Sequence, residues 1–82
     1  MITTEQIRAA RQMIRMTAEG LASASGVGVA TIRRYELMTG VPAGNARSVE
    51  AIQKALEDAG IEFIGTPEDR PGVRLTKRLG QD

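Results

Sequence analysis

The sequence predicts a mainly α fold, about four short helices followed by a C-terminal β-hairpin. Three observations predict it. Apolar residues recur at helical spacing in four successive segments, most of them bounded by a capping residue or a glycine. After Gly60 the period switches to alternation, in IEFIG and again in GVRLT. Tyr35 and Phe63 are the only aromatics, so the core must be built from Ile, Leu, Val, Met and Ala, which favours packed helices over aromatic-rich sheets.

Each element has a local reason. Thr3, followed three residues later by Gln6, forms a capping box that opens a helix over about 4–15, with Ile7, Ala10, Met13 and Ile14 on its inner side. Thr17 opens a second helix, TAEGLASAS, with Leu21 and Ala22 inward, and Gly26 stands where a left-handed residue ends it. A third helix spans about 29–37. TGVPAGN, residues 39–45, is a loop by composition. Asn45 caps a fourth helix, ARSVEAIQKALEDA, whose inner stripe is Val49, Ile52, Leu56 and Ala59, and Gly60 stops it. IEFIG then reads as a strand, PEDRPG (residues 67–72) as a turn, and GVRLT as a second strand with Val73 and Leu75 on one face. Met1, Met13, Met16 and Met38 read as core filler or chain ends, and the last four residues are expected to fray. Residues 1–60 and the hairpin at 61–78 belong to one domain, in which no repeat is visible.

Composition excludes several classes of function. With 82 residues the chain buries only about 60–65% of its unfolded surface, so its stability margin is thin. It has no cysteine and no histidine, which removes disulfides, thiolate nucleophiles, the usual zinc sites and a histidine general base. No metal site and no cofactor is expected, and no catalytic constellation is visible. No run of 18 apolar residues exists, and MITTEQIRAARQ is too polar for a secretory signal. A cytoplasmic location is expected. Residues 1–47 carry six arginines against Glu5, Glu19 and Glu36, a net +3, whereas residues 48–82 carry five basic and seven acidic side chains, a net −2. Nine of the eleven basic residues are arginine, the side chain suited to bidentate contact with phosphate or guanine.

Two short helices joined by a tight glycine-containing turn make a helix-turn-helix unit, and residues 17–36 have that pattern. Ala22 is small enough for close helix approach. Gly26 takes positive φ without a Cβ clash. Val27 and Ile32 plug the angle between the helices, which leaves Ala30, Arg33 and Arg34 outside and Val29 at the leading end.

LASASGVGVATIRRYE resembles the helix-turn-helix of the Cro/lambda-repressor-like (Xre-type) DNA-binding family, and the resemblance extends over roughly 7–60. It implies a lambda-repressor-like fold and makes the helix from Val29 a recognition helix for the major groove of double-stranded DNA. Val29 and Ala30 would then meet thymine methyls, Arg34 would reach guanine O6 and N7, and Arg33 a base or a phosphate. Thr31 and the backbone donors at Thr17, Ala18, Asn45 and Arg47 would meet phosphates. The resemblance also implies a structural ion pair between Arg11 and Glu36. Two positions depart from the family pattern. The second helix has Ala18 and Gly20 where glutamine and an acidic or amide residue are usual, and Gly20 is expected to cost about 1 kcal/mol relative to alanine. Gly28 stands where a serine or threonine cap is common.

Blander readings compete with these. Arg33 and Arg34 alone would pass for a solvated helix face, and Arg47 stays open between a phosphate contact and a surface charge. The Gly26-Val27-Gly28 run lacks the preceding strand and third glycine of a nucleotide loop. Glu57-Asp58 and Glu68-Asp69 read as solubility. The function expected is sequence-specific DNA binding by a small regulator, a repressor acting as a homodimer on a palindromic operator. Ile61, Phe63, Ile64, Val73 and Leu75 are the expected dimer interface, although Ile61 and Phe63 serve equally well as core. The alternative is an antitoxin-type interaction module whose C-terminal segment docks on a toxin or other protein partner.

Overall fold

A computed structural model describes residues 1–76. Its order is α1 (Thr4–Met13), α2 (Ala18–Ser25), α3 (Val29–Glu36), α4 (Ala46–Asp58), β1 (Ile61–Thr66) and β2 (Asp69–Leu75). It is thus a mainly α fold with a C-terminal two-stranded antiparallel sheet. Of the hairpin expected at 61–78, residues 77 and 78 lie outside the described residues, as does the expected fraying of the last four.

The capping box at Thr3 is complete. Thr3 Oγ1 accepts from the Gln6 amide at 3.1 Å, and Gln6 Oε1 accepts from the Thr3 amide at 2.8 Å. The other end of α1 comes two residues earlier than the apolar spacing predicts. Arg15 takes the left-handed conformation (φ 56°), its amide donates to Gln12 O, and the Met16 amide donates to Arg11 O. These two bonds close the helix in a Schellman motif. The position is filled by arginine rather than glycine, so the stop carries no sequence mark.

The core is one aliphatic cluster with a single ring in it. Ile7 and Ala10 of α1, Leu21 of α2, Ile32 and Tyr35 of α3, Val49, Ile52 and Leu56 of α4, and Ile61 of β1 are all buried. Met13, Met16 and Met38 pack partly against this cluster, whereas Met1 is exposed. Tyr35 is among the largest fully buried side chains, and a buried polar contact sits beside it: Thr4 Oγ1 donates to Tyr35 O at 2.9 Å.

The hairpin is tighter than the sequence reading. Pro67 and Glu68 alone form the turn, because Thr66 already pairs with Asp69. The residues read as turn, Arg70-Pro71-Gly72, lie in β2 instead. The register pairs Ile64 with Gly72, so Gly65 opposes both Arg70 and Pro71 in a bulge, which is where a proline fits in a strand. A Cβ at Gly65 (φ 77°) would lie 2.2 Å from the Arg70 carbonyl oxygen. Phe63, Val73 and Leu75 turn toward the core with Ile61. On the outer face, Glu62 and Arg74 form a bidentate pair at 2.9 and 3.0 Å. Hydrogen bonding to Arg74 holds the Glu62 carboxyl below its ordinary value.

One side chain ties the hairpin to the helices. Gln6 Nε2 donates to Ile64 O at 3.1 Å and to Gly72 O at 2.9 Å while its other end completes the α1 cap. Gln6→Ala removes three hydrogen bonds at a buried position, which should cost about 2 kcal/mol. Thermal unfolding should therefore move down by about 8–16 °C. An unchanged melting temperature would contradict this account of the hairpin. The outer pair gives a second check. Because the Glu62 pKa is depressed, the stabilisation from its pair is present above the unfolded carboxylate pKa and is lost as pH falls through the folded value. An NMR titration should find Glu62 ionising below the ordinary glutamate range, and Arg74→Ala should return it there.

Candidate nucleic-acid interface

The α2–α3 unit is built from capping and burial. Thr17 Oγ1 accepts from the Gly20 amide at 2.9 Å, capping α2. A Cβ at Gly20 would sit 3.2 Å from that oxygen and 3.3 Å from Met16 Cγ. The glycine therefore accommodates the cap, and alanine there would press on it. Gly26 ends α2 in the left-handed region (φ 77°), with its amide donating to Ala22 O. Ser25 fastens the turn by donating from Oγ to Leu21 O at 2.7 Å and accepting from the Val27 amide at 3.1 Å. Leu21, Val27 and Ile32 are buried between the helices.

Because Ile32 and Tyr35 face inward, the opposite side of α3 is exposed. It carries Ala30, Arg33 and Arg34, while Val29 and Thr31 at the flanks are half-buried. Leu37, just past the helix, continues this outward row and is 87% exposed. The sequence reading missed it, and its helical offset of seven from Ala30 was the available signal. The two arginines are held differently. Arg33 Nη2 is paired with Glu19 Oε2 of α2, whereas the Arg34 guanidinium lies over the Tyr35 ring, 5.7 Å from its centroid.

The inner end of α3 is clamped by α1. Arg11 donates from Nε to Glu36 Oε2 at 2.8 Å and from Nη2 to Oε1 at 2.7 Å, and its Nη1 reaches Met16 O at 3.0 Å. This is a bidentate, largely buried pair. The hydrogen bond to Glu36 raises the Arg11 pKa further above its already high value, against the lowering by burial, with the charges of Glu36 and Glu19 adding to it. Arg8 Nη1 also donates to Glu36 O at 3.0 Å, a cation on the C-terminal carbonyls of α3.

The other expected contact residues are distributed unevenly. Thr17 is exposed beside Glu19, and through the Glu19–Arg33 pair the start of α2 adjoins the outer side of α3. Ala18 is half-buried against the core, so only its backbone amide can face a ligand. Asn45 and Arg47 are exposed at the start of α4. Asn45 Oδ1 already accepts from the Arg47 amide at 2.9 Å, so that amide is not a free donor and the guanidinium is what Arg47 offers. The α3–α4 loop reaches α3 again at Gly44, where a Cβ would lie 3.1 Å from the Tyr35 hydroxyl.

The five apolar residues expected at a dimer interface do not form one surface. Ile61 is 2% exposed and belongs to the chain's own core, so its side chain is not available to a partner. Phe63, Val73 and Leu75 share its face and are half-buried against the helices. Ile64 points the other way and is exposed. Strand alternation makes the split unavoidable, since neighbours in IEFI cannot share a face.

Among the described residues there is no group of three side chains able to hold a metal ion, and no helix is long and apolar enough to cross a membrane. No model of a known protein family matches the chain, and no curated protein matches it.

Two substitutions test this construction. Arg11→Met leaves the Glu36 carboxylate without its partner in a largely buried place, and should cost about 2 kcal/mol, on the order of 10 °C in Tm. An unchanged Tm would show that α3 is not held this way. Gly28 opens α3 without a side-chain cap, and a Cβ there meets nothing within 4 Å. Gly28→Ser should therefore add a cap and raise stability by a few tenths of a kcal/mol, whereas a drop in Tm would mean that the start of α3 cannot accept one.

Proposed function

We propose that the chain is a sequence-specific DNA-binding protein of the Cro/lambda-repressor-like kind, reading the major groove with α3. The observation that carries the reading is the outer side of α3. It is a helix end held by buried partners behind it, with two arginines and a small residue, Ala30, turned to solvent. A small residue one turn ahead of the arginines lets the helix approach base edges closely. The start of α2 lies beside that face, and Arg47 stands at the start of α4 as a phosphate-binding cation. The excess of positive charge in residues 1–47, the segment that contains α3, suits a polyanionic partner.

One short helix reads only a few base pairs, so the active form is a homodimer on a palindromic operator with half-sites about 34 Å apart. Of the apolar hairpin residues, Ile64 is the one free to meet a second copy. We read its action as repression by occlusion of a promoter.

Selection of binding sequences from a random duplex pool tests the reading. An enriched motif with two-fold symmetry is expected, with log affinity falling linearly in log salt by about 0.9 per phosphate contacted. Arg34→Ala should cost about 1–3 kcal/mol and relax one base position, whereas Arg47→Ala should weaken all sequences alike. No enriched motif and no salt dependence would defeat the proposal. Monomers alone in sedimentation, free and on DNA, would defeat the dimer.

A further inference from the structure

The two arginines on the outer side of α3 are not equivalent, and the difference lies in Glu19. Glu19 is in the first turn of α2, and its carboxylate is paired with Arg33 Nη2 across the gap between the helices. Among the described residues this is the one ion pair that joins α2 to α3. Both side chains are more than half exposed, 59% for Arg33 and 65% for Glu19, so the pair stands on the outer face and not within the packing. Among the described residues Arg34 has no acidic partner, and its guanidinium lies over the Tyr35 ring.

We infer that Glu19 is a positioning residue for Arg33, aiming its guanidinium at one guanine and confining Arg33 to base readout instead of phosphate binding. The inference rests on the DNA reading above. A guanidinium carries five donors, and the carboxylate engages only one nitrogen, Nη2. The remaining donors keep the planar fork that matches guanine O6 and N7. A free arginine must give up rotamer freedom when it docks, and a carboxylate that holds the fork beforehand reduces that loss. Charge decides the rest. An unpaired carboxylate on a surface that meets DNA repels phosphates, and an unpaired arginine there attracts them regardless of sequence. Paired, the two present a directed hydrogen-bonding edge with little net charge. The pair then favours the right base while adding little to general affinity, which is how a repulsive group improves discrimination.

The test compares the unmodified chain, Glu19→Gln, Arg33→Ala and the double variant by selection from the same random duplex pool, with affinity measured on the selected site and on unrelated DNA. The unmodified chain should show one guanine position that Arg33→Ala erases. Glu19→Gln should weaken preference at that same position about five- to tenfold, while affinity for unrelated DNA rises and its salt slope steepens by about one. In the Arg33→Ala background, Glu19→Gln should leave the remaining base profile unchanged, because the two act as one unit. Glu19→Gln keeps the side-chain shape and leaves the Thr17 cap intact, and circular dichroism verifies the fold. A structural role for Glu19 would lower the melting temperature without altering the base profile, and that result overturns the inference. So does an Arg33→Ala variant with every base position intact, or an Arg34→Ala variant that alone erases the position assigned to Arg33. No motif for the unmodified chain defeats the DNA reading and this inference together, whereas a motif untouched by Glu19→Gln defeats the inference alone.

Discussion

The Arg11–Glu36 pair is the contact on which the rest of the arrangement depends. It joins the last turn of α1 to the last residue of α3 through two charge-assisted hydrogen bonds in a largely buried setting. Thr4 and Arg8 add bonds from α1 to the carbonyls of Tyr35 and Glu36. Four side-chain hydrogen bonds from one helix thus fix the end of another. The consequence is rotational. With Ile32 and Tyr35 turned inward and Glu36 tied to α1, α3 has one remaining direction for Ala30, Arg33 and Arg34, and that direction is solvent.

Such polar fastenings matter here because the core is small. A dozen mostly aliphatic side chains with one buried ring cannot alone set the angles between four short helices. The chain supplements them with side chains that fasten helix ends, the α2–α3 turn and the hairpin. Gln6 caps α1 and holds both strands of the hairpin, Ser25 bonds on both sides of the α2–α3 turn, and Asn45 caps α4 just after the loop crosses Tyr35. The Thr76 amide and hydroxyl both donate to Gly60 O, closing the base of the hairpin against the end of α4. The candidate interface is therefore rigid in its backing, and only the outer side chains are free to adapt.

The parts that were legible in the sequence are those marked by chemically specific residues. Thr3 with Gln6, Thr17, Gly26, Asn45 and Gly60 each limit an element, because a cap or a left-handed residue at those points needs those side chains or their absence. Most inward positions followed from 3.6-residue spacing, but on α4 the expected Ala59 is exposed just past the helix end and Ala55 is buried in its place. What stayed hidden depended on contacts between distant segments. Arg15 ends α1 with a residue that has no special preference for the left-handed region. Arg70-Pro71-Gly72 has turn composition yet pairs as a bulged strand, because Gly65 opposite makes room for it. The outer face of α3 was legible from periodicity, but the Glu19–Arg33 pair links residues 14 apart in sequence and has no local signature. The hairpin residues were grouped by apolarity, whereas the pleat divides them between two faces.

The central claim is that the outer side of α3, backed by α1 and adjoined by the start of α2, is the surface that meets DNA. Amide chemical-shift mapping of the full chain, titrated with a duplex selected for binding, tests it most directly. The account predicts shifts concentrated at residues 17–19, 29–34 and 45–47, with the interior of the hairpin and the outer side of α4 nearly silent. Shifts centred on the hairpin, with α3 unmoved, would contradict it.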